Sequence, residues 1–321
     1  MRQNQSVERR CSYVVPIEQR VASIPEAQSL SAYLSTLNVG HCDVVILDSS
    51  PGEVYDQLHR VFRWVARHVA VPAGADPVRC AIELAGCEKV IVAQPEVRYS
   101  PADLEQMCDL LEHHEVVEPQ DYFDPLPWWG GIDAGRMLVH RGIEPYPDHG
   151  GTFGFRRGAI SGLRGLGNGT VGEDSVRRLA ANGAEVLSAS EMFVQRRPPI
   201  LADWLRQRPR QAGDDFSMPI KSAFFFALIP MTVLLTLLGG GRVATGYVGA
   251  VTFASMVLAV RGRVGATPFF PLRTCLYAPL WVFERSVSVY WALFRKLRGA
   301  EDDPLRVALP DRGNQRVASG E

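Results

Sequence analysis

Short apolar runs alternate with longer amphipathic stretches over the first two-thirds of the chain, and long unbroken apolar runs dominate the last third. The runs at 12–16 (SYVVP), 43–47 (DVVIL), 68–71, 89–93 (KVIVA) and 115–118 read as strands. Between them, 26–37, 53–67, 76–85 and 101–113 carry helical spacing, and Ser100-Pro101 has the chemistry of a helix start. Strands of near-continuous Val and Ile separated by helices imply parallel βαβ units covered on both faces. In such sheets ligands bind beyond the carboxyl ends of the strands. Pro16, Asp48 and the segment 94–96 follow strands in that way.

Two apolar runs near the C-terminus are of another kind. Lys221 and Arg242 bracket the first, and Arg242 and Arg261 bracket the second. As helices, each reaches roughly 27–30 Å, about one bilayer core. Gly239, Gly240 and Gly241 supply a short turn between them. A helical hairpin buried in a soluble core is the competing reading. Arg206, Arg208, Arg210 and Lys221 precede the first run, and Arg261 and Arg263 follow the second, which puts both outer flanks on the cytosolic side. In 264–298, Arg273, Glu284 and Arg285 cut the apolar sequence into pieces too short to span. Tyr277, Trp281, Tyr290 and Trp291 suit helices lying in the interface. The expected organisation is a cytosolic domain at 1–216, a transmembrane hairpin at 217–263, interfacial helices at 264–298 and a disordered tail at 299–321.

Composition changes this picture little. The 321 residues have a formal net charge of −1, which gives no electrostatic case for nucleic-acid binding. The six cysteines form no CxxC pair and read as reduced thiols rather than zinc ligands. The first ten residues are polar and lack the apolar core of a secretory signal, so the N-terminal domain is expected in the cytosol.

Several residues carry candidate chemistry, each with a plain alternative. Asp48, ending a buried strand, can accept hydrogen bonds from a base or ribose, or simply shape a turn. Glu173 and Asp174 follow a glycine-rich loop; they are either helix first-turn acids or a general base for a hydroxyl nucleophile. Gln207, Arg208 and Arg210 can hold a diphosphate leaving group or form a basic patch beside the membrane. Trp128 and Trp129 offer a sugar-stacking surface or packing. Gly150-Gly151-Thr152 lets backbone approach a ligand.

Taken in order, these segments resemble a membrane-associated family-2 glycosyltransferase of actinobacterial type. The resemblance rests on Val14-Val15-Pro16, 43–51, Val97-Arg98-Tyr99, 117–131 (VEPQDYFDPLPWWGG) with Asp133 and Arg136, 149–157 (HGGTFGFRR), Gly172-Glu173-Asp174 and 207–211 (QRPRQ). It implies an α/β GT-A fold, a Rossmann-like and mostly parallel sheet flanked by helices, followed by the membrane hairpin and interfacial helices. It implies an inverting enzyme that moves a sugar from a nucleotide-sugar donor to a lipid-linked or glycan acceptor at the cytosolic face of a bilayer, alone or in a homo- or hetero-oligomer. Asp174 aligns with the base and Glu173 with a supporting acid. Pro16, Asp48, Glu96, Gly151 and Thr152 fall at the donor, Gln207, Arg208 and Arg210 at the diphosphate, and Trp128, Trp129 and Asp133 at the acceptor. Mg²⁺ or Mn²⁺ is the implied cofactor, with Glu96 as its ligand. The sequence departs from the family where an Asp-x-Asp cluster is usual and Gln94-Pro95-Glu96 stands instead. It departs again at 73–77 (AGADP), where a basic residue is usual. These departures support an alternative, a catalytically impaired relative acting as a scaffold or partner subunit.

Overall fold

The computed structural model describes residues 9–17, 23–39, 42–143, 151–160, 173–214, 216 and 219–298. The side chains of Glu173, Asp174 and Arg210 lie outside that set, as do Gly150, the loop before Glu173 and the tail after Arg298. The elements in chain order are β1 (Cys11–Pro16), α1 (Ile24–Val39), β2 (Cys42–Asp48), α2 (Gly52–Phe62), β3 (Arg67–Ala70), α3 (Pro77–Leu84), β4 (Lys89–Ala93), β5 (Val97–Arg98), α4 (Pro101–His113), β6 (Val116–Phe123) and α5 (Trp128–Ile143). They continue with β7 (Thr152–Arg156), α6 (Arg157–Ile160), α7 (Glu173–Ala181), β8 (Val186–Arg196), α8 (Leu201–Asp214), α9 (Pro219–Gly262) and α10 (Ala278–Leu297).

One eight-stranded sheet has the order β3-β2-β1-β4-β7-β6-β8-β5. The four strands from β3 to β4 are mutually parallel. β7 runs antiparallel to both β4 and β6, while β6 and β8 are parallel. Alternation explains why the parallel strands read as unbroken apolar runs. Tyr13, Val15, Val44, Ile46, Ile91 and Ala93 enter one core cluster. Their neighbours Val14, Val45, Leu47, Val90 and Val92 enter the other, on the opposite face. The expected α/β architecture is therefore present, with a long apolar helix, α9, after it.

Some expectations change. α2 ends at Phe62 rather than residue 67, and Arg67 opens β3. β6 runs to Phe123 rather than stopping at 118. It contains Pro119, which cannot donate to a ladder, and the pairing with β8 shifts register between Pro119 and Gln120. Asp76, in the 73–77 segment where a basic residue is usual, is a buried cap: its Oδ1 accepts from Val78 N at 2.8 Å and Arg79 N at 3.4 Å at the start of α3. Residues 278–297 form one continuous 20-residue helix rather than short pieces. Trp281, expected at the bilayer interface, is buried against Phe225, with ring centroids 5.5 Å apart. Within α10, Glu284 lies 3.9 Å from Arg208 and accepts a hydrogen bond from the Ser288 hydroxyl.

The chain divides into two compact units, Met1–Pro199 with Thr252–Pro279, and Ile200–Val251 with Leu280–Glu321. Within the first, α5 meets later chain through glycines. A Cβ on Gly135 would lie 2.8 Å from Ala278 N, and one on Gly142 would strike the Leu258 carbonyl oxygen. These are backbone atoms that cannot swing away. α9 is interrupted at Gly240, whose φ of +74° and ψ of 175° are non-helical and cost glycine little.

Gly135→Ala tests the α5 contact with a clear sign. In an open helix the change stabilises by about 1 kcal/mol. Here overpacking against backbone should dominate and destabilise by about 1–3 kcal/mol in denaturant unfolding. Equal or higher stability would contradict the contact.

Candidate active site

The carboxyl ends of β1, β2 and β4 converge because the strands are parallel and in register, with Pro16 beside Leu47 and Val14 beside Val92. At the end of β2, Asp48 has a side chain with 0% exposure. Its Oδ1 accepts from Ser50 N at 2.8 Å and fixes the turn into α2. Its Oδ2 lies 2.9 Å from His68 Nε2. With Asp48 ionised, Nε2 carries the proton, and His68 Nδ1 shares a second proton with His59 Nδ1 across 3.2 Å. Tyr55 stacks on both imidazoles. Burial pushes the Asp48 carboxyl up, and the hydrogen bonds from His68 and Ser50 outweigh it, leaving the group below its ordinary value. The predicted nucleotide acid is thus rigidly held, with both oxygens already engaged inside the protein.

Beyond β4, Gln94 N donates to Gly151 O at 2.7 Å. A Cβ on Gly151 would meet the Gln94 side chain, so a larger residue there would displace Gln94. Thr152 is fully buried; its hydroxyl donates to Val92 O and meets the Tyr99 hydroxyl, each at 2.9 Å. It therefore braces β7 against β4. The unexpected group is Arg196, at the end of β8. Its guanidinium donates to Gln94 Oε1 at 2.8 Å and to Asp121 Oδ2 at 3.0 Å. Burial works against its charge, but Asp121 and Glu96 outweigh burial and hold its pKa above the ordinary arginine value. Arg98 donates to the carbonyls of Pro95 and Val97 and lies over the Tyr33 ring. Glu96 Oε2 is buried without a hydrogen-bond partner.

This donor set does not fit a divalent ion. Pro95 offers no side-chain ligand, Gln94 Oε1 already accepts from a cation, and Glu96 is a single carboxylate. Among the described residues no group of three His, Cys, Asp or Glu could hold a metal. The expectation of Glu96 as a metal ligand meets a segment whose Gln94 oxygen is already taken by the Arg196 guanidinium.

The other predicted residues lie elsewhere. Trp128 is exposed and meets Trp129 edge-on at 5.8 Å, while Trp129 Nε1 donates to Pro199 O at 3.1 Å. Asp133 is buried one turn along α5, 3.7 Å from Arg136 Nε. In the second unit, Gln207 is exposed. Arg208 is buried over the Trp204 ring at 4.3 Å and pairs with Glu284. Glu173 opens α7, and Asp174 follows it. The sequence reading missed Arg196, Asp121 and His68. Only the pair Arg196-Arg197 after an alternating run hinted at the first; nothing local marks the other two.

No protein-family model and no curated protein matches the chain. Solved structures do resemble it. A mannosyltransferase from Pyrobaculum calidifontis, PcManGT, in complex with GDP-Man and Mn²⁺, is 15% identical, covers 88% of each chain and superposes with a TM-score of 0.51. Glucosyl-3-phosphoglycerate synthase from Mycobacterium tuberculosis, in complex with Mn²⁺, UDP and glucosyl-3-phosphoglycerate, is 16% identical and covers 61% of this chain and 76% of that one at a TM-score of 0.37. TarS from S. aureus is 12% identical and covers 90% and 91% at 0.37. At these identities the likeness concerns the fold, which is GT-A-like.

The Asp48 network predicts a pH dependence. A carboxyl held below its unfolded value stabilises the fold above roughly pH 4, and that contribution fades as pH falls through the folded pKa. Asp48→Asn should therefore cost about 1–3 kcal/mol near pH 6, and the gap to wild type should narrow below roughly pH 4. A gap independent of pH in urea titrations would count against the charged network.

Proposed function

We propose that the protein is a membrane-associated inverting glycosyltransferase that moves a sugar from a nucleotide-sugar donor to a lipid-linked or glycan acceptor. The observation that carries this reading is the convergence of Asp48, the 94–96 segment and Gly151 at the carboxyl edge of a GT-A-like sheet, in a chain that also holds a long apolar helix. Ligands of such sheets lie at that edge. The turn after β2 binds the nucleoside, and Asp48, buried beneath it, holds that turn in place. Asp174, near the start of α7, removes the acceptor proton as its oxygen attacks the anomeric carbon, and Glu173 supports it. The Trp128 face, exposed at the start of α5, receives the acceptor sugar.

A membrane role is supported by where the apolar surface lies. Only 11% of the most apolar stretch of α9 is buried, the opposite of a core helix. Ile220, Leu237, Leu238 and Phe253 stand exposed. The 44 residues of α9 would reach about 65 Å as one rod, twice a bilayer core. The break at Gly240 makes two arms of spanning length, which supports a hairpin with both of its outer ends on the cytosolic side. An apolar groove of about 930 Å³ along Ala227, Ile229, Pro230, Met231, Val233, Leu234, Leu237, Val287 and Tyr290 suits an acyl or isoprenoid chain.

Two experiments test this reading. In detergent, with UDP- and GDP-sugars and membrane lipid extract, wild-type protein should transfer labelled sugar. Asp174→Asn should lose about 10²–10⁴-fold in turnover while keeping donor affinity. Unchanged turnover would remove Asp174 from the mechanism, and failure to bind any nucleotide sugar would favour the scaffold alternative. In a cysteine-free background, Arg242→Cys in sealed vesicles should react with an impermeant maleimide only from the face opposite a cysteine at position 9. Labelling of both from one face would refute the hairpin.

A further inference from the structure

We propose that Arg196 is the fixed cation of the donor-diphosphate site, standing where acidic side chains would otherwise hold a divalent ion. The inference rests on the transferase reading above and names what would bind the diphosphate. Arg196 reaches the site from β8, at the opposite end of the sheet order from β1 and β2. It grips Gln94 Oε1 at 2.8 Å, on the first residue beyond β4, and is anchored by Asp121 at 3.0 Å.

The surrounding groups favour an anion over a metal. Arg98 donates to the carbonyls of Pro95 and Val97, so the guanidinium groups of Arg98 and Arg196 both border residues 94–97. Against them stand two carboxylates, Asp121 and Glu96, so the cluster has none of the excess negative charge that draws a divalent ion. A diphosphate gains here through hydrogen bonds rather than through net charge. Two donors also await an acceptor: Arg196 Nε and Arg98 Nε are buried with no hydrogen-bond partner. Buried cationic N–H groups are costly unpaired, and phosphate oxygens satisfy them with the fork geometry that guanidinium offers. Glu96 Oε2, also buried and unpartnered, can accept from a sugar hydroxyl rather than from a metal.

The test is calorimetry on the full-length, detergent-solubilised protein with UDP, GDP and pyrophosphate, in EDTA and in Mn²⁺. At least one nucleoside diphosphate, and pyrophosphate, should bind in EDTA, and Mn²⁺ should change the affinity by less than about threefold. The double variant Arg196→Met with Asp121→Asn removes both members of the ion pair, so Asp121 is not left as an unpaired buried carboxylate. It should weaken pyrophosphate binding by more than about tenfold, and Arg196→Lys by less, with folding monitored by circular dichroism. Binding abolished by EDTA and restored by Mn²⁺ would overturn the fixed cation while leaving the transferase reading intact. Unaltered pyrophosphate affinity in a folded double variant would reduce Arg196 to a structural ion pair. Pyrophosphate binding without nucleotide binding would support the cation site and remove the transferase reading, and no binding of any probe would overturn both.

Discussion

Parallel strands covered on both faces can show polar groups only at their ends, and that constraint organises the sheet domain. Val14, Val45 and Val92 are sealed on one face and Tyr13, Ile46 and Ile91 on the other. Their backbone polar groups pair with neighbouring strands over the shared registers. Polar chemistry is therefore expelled to the point where each strand stops, at Asp48 and at Gln94. The same constraint explains why Thr152 is consumed internally: it sits inside the sheet, beside Ala93, and its hydroxyl answers buried partners.

Once polar side chains are gathered at such an edge, each needs a partner. Asp48 is satisfied by His68 and a backbone N–H. Arg196 is satisfied in part by Asp121 and Gln94, with one donor left over. Buried charges without partners cost several kcal/mol, so the arrangement is a small number of closed pairs with a few deliberate openings. The openings, at Arg196, Arg98 and Glu96, surround the 94–96 segment. Two of the three are hydrogen-bond donors, where an acidic metal cluster would present only acceptors.

The apolar helix follows another physics. Its exposed residues include many large apolar side chains rather than scattered single ones. Gly240 lets the chain leave helical geometry between two arms at no steric cost. Where the distal part of α9 and the segment after it return to the sheet domain, contact is made by backbone against Gly135 and Gly142 of α5. Close approach of helices through small residues needs no large side chains, and so leaves little trace in hydrophobicity.

Much was legible in the chain itself. The spacing of apolar residues determined β1, β2, β4 and α4 almost to the residue, because each buries its side chains in a regular pattern. The length of the uncharged runs likewise marked α9. Asp48 and residues 94–96 were located by following the ends of those strands. What only the tertiary structure decided is which distant residues meet there. Arg196 lies about a hundred positions from Gln94, and Asp121 about seventy-five from Arg196. β6 extends past Pro119 because its pairing with β8 continues to Phe123. Ion pairs and glycine contacts have no period along a sequence; they depend on sheet order and register, which local periodicity does not encode.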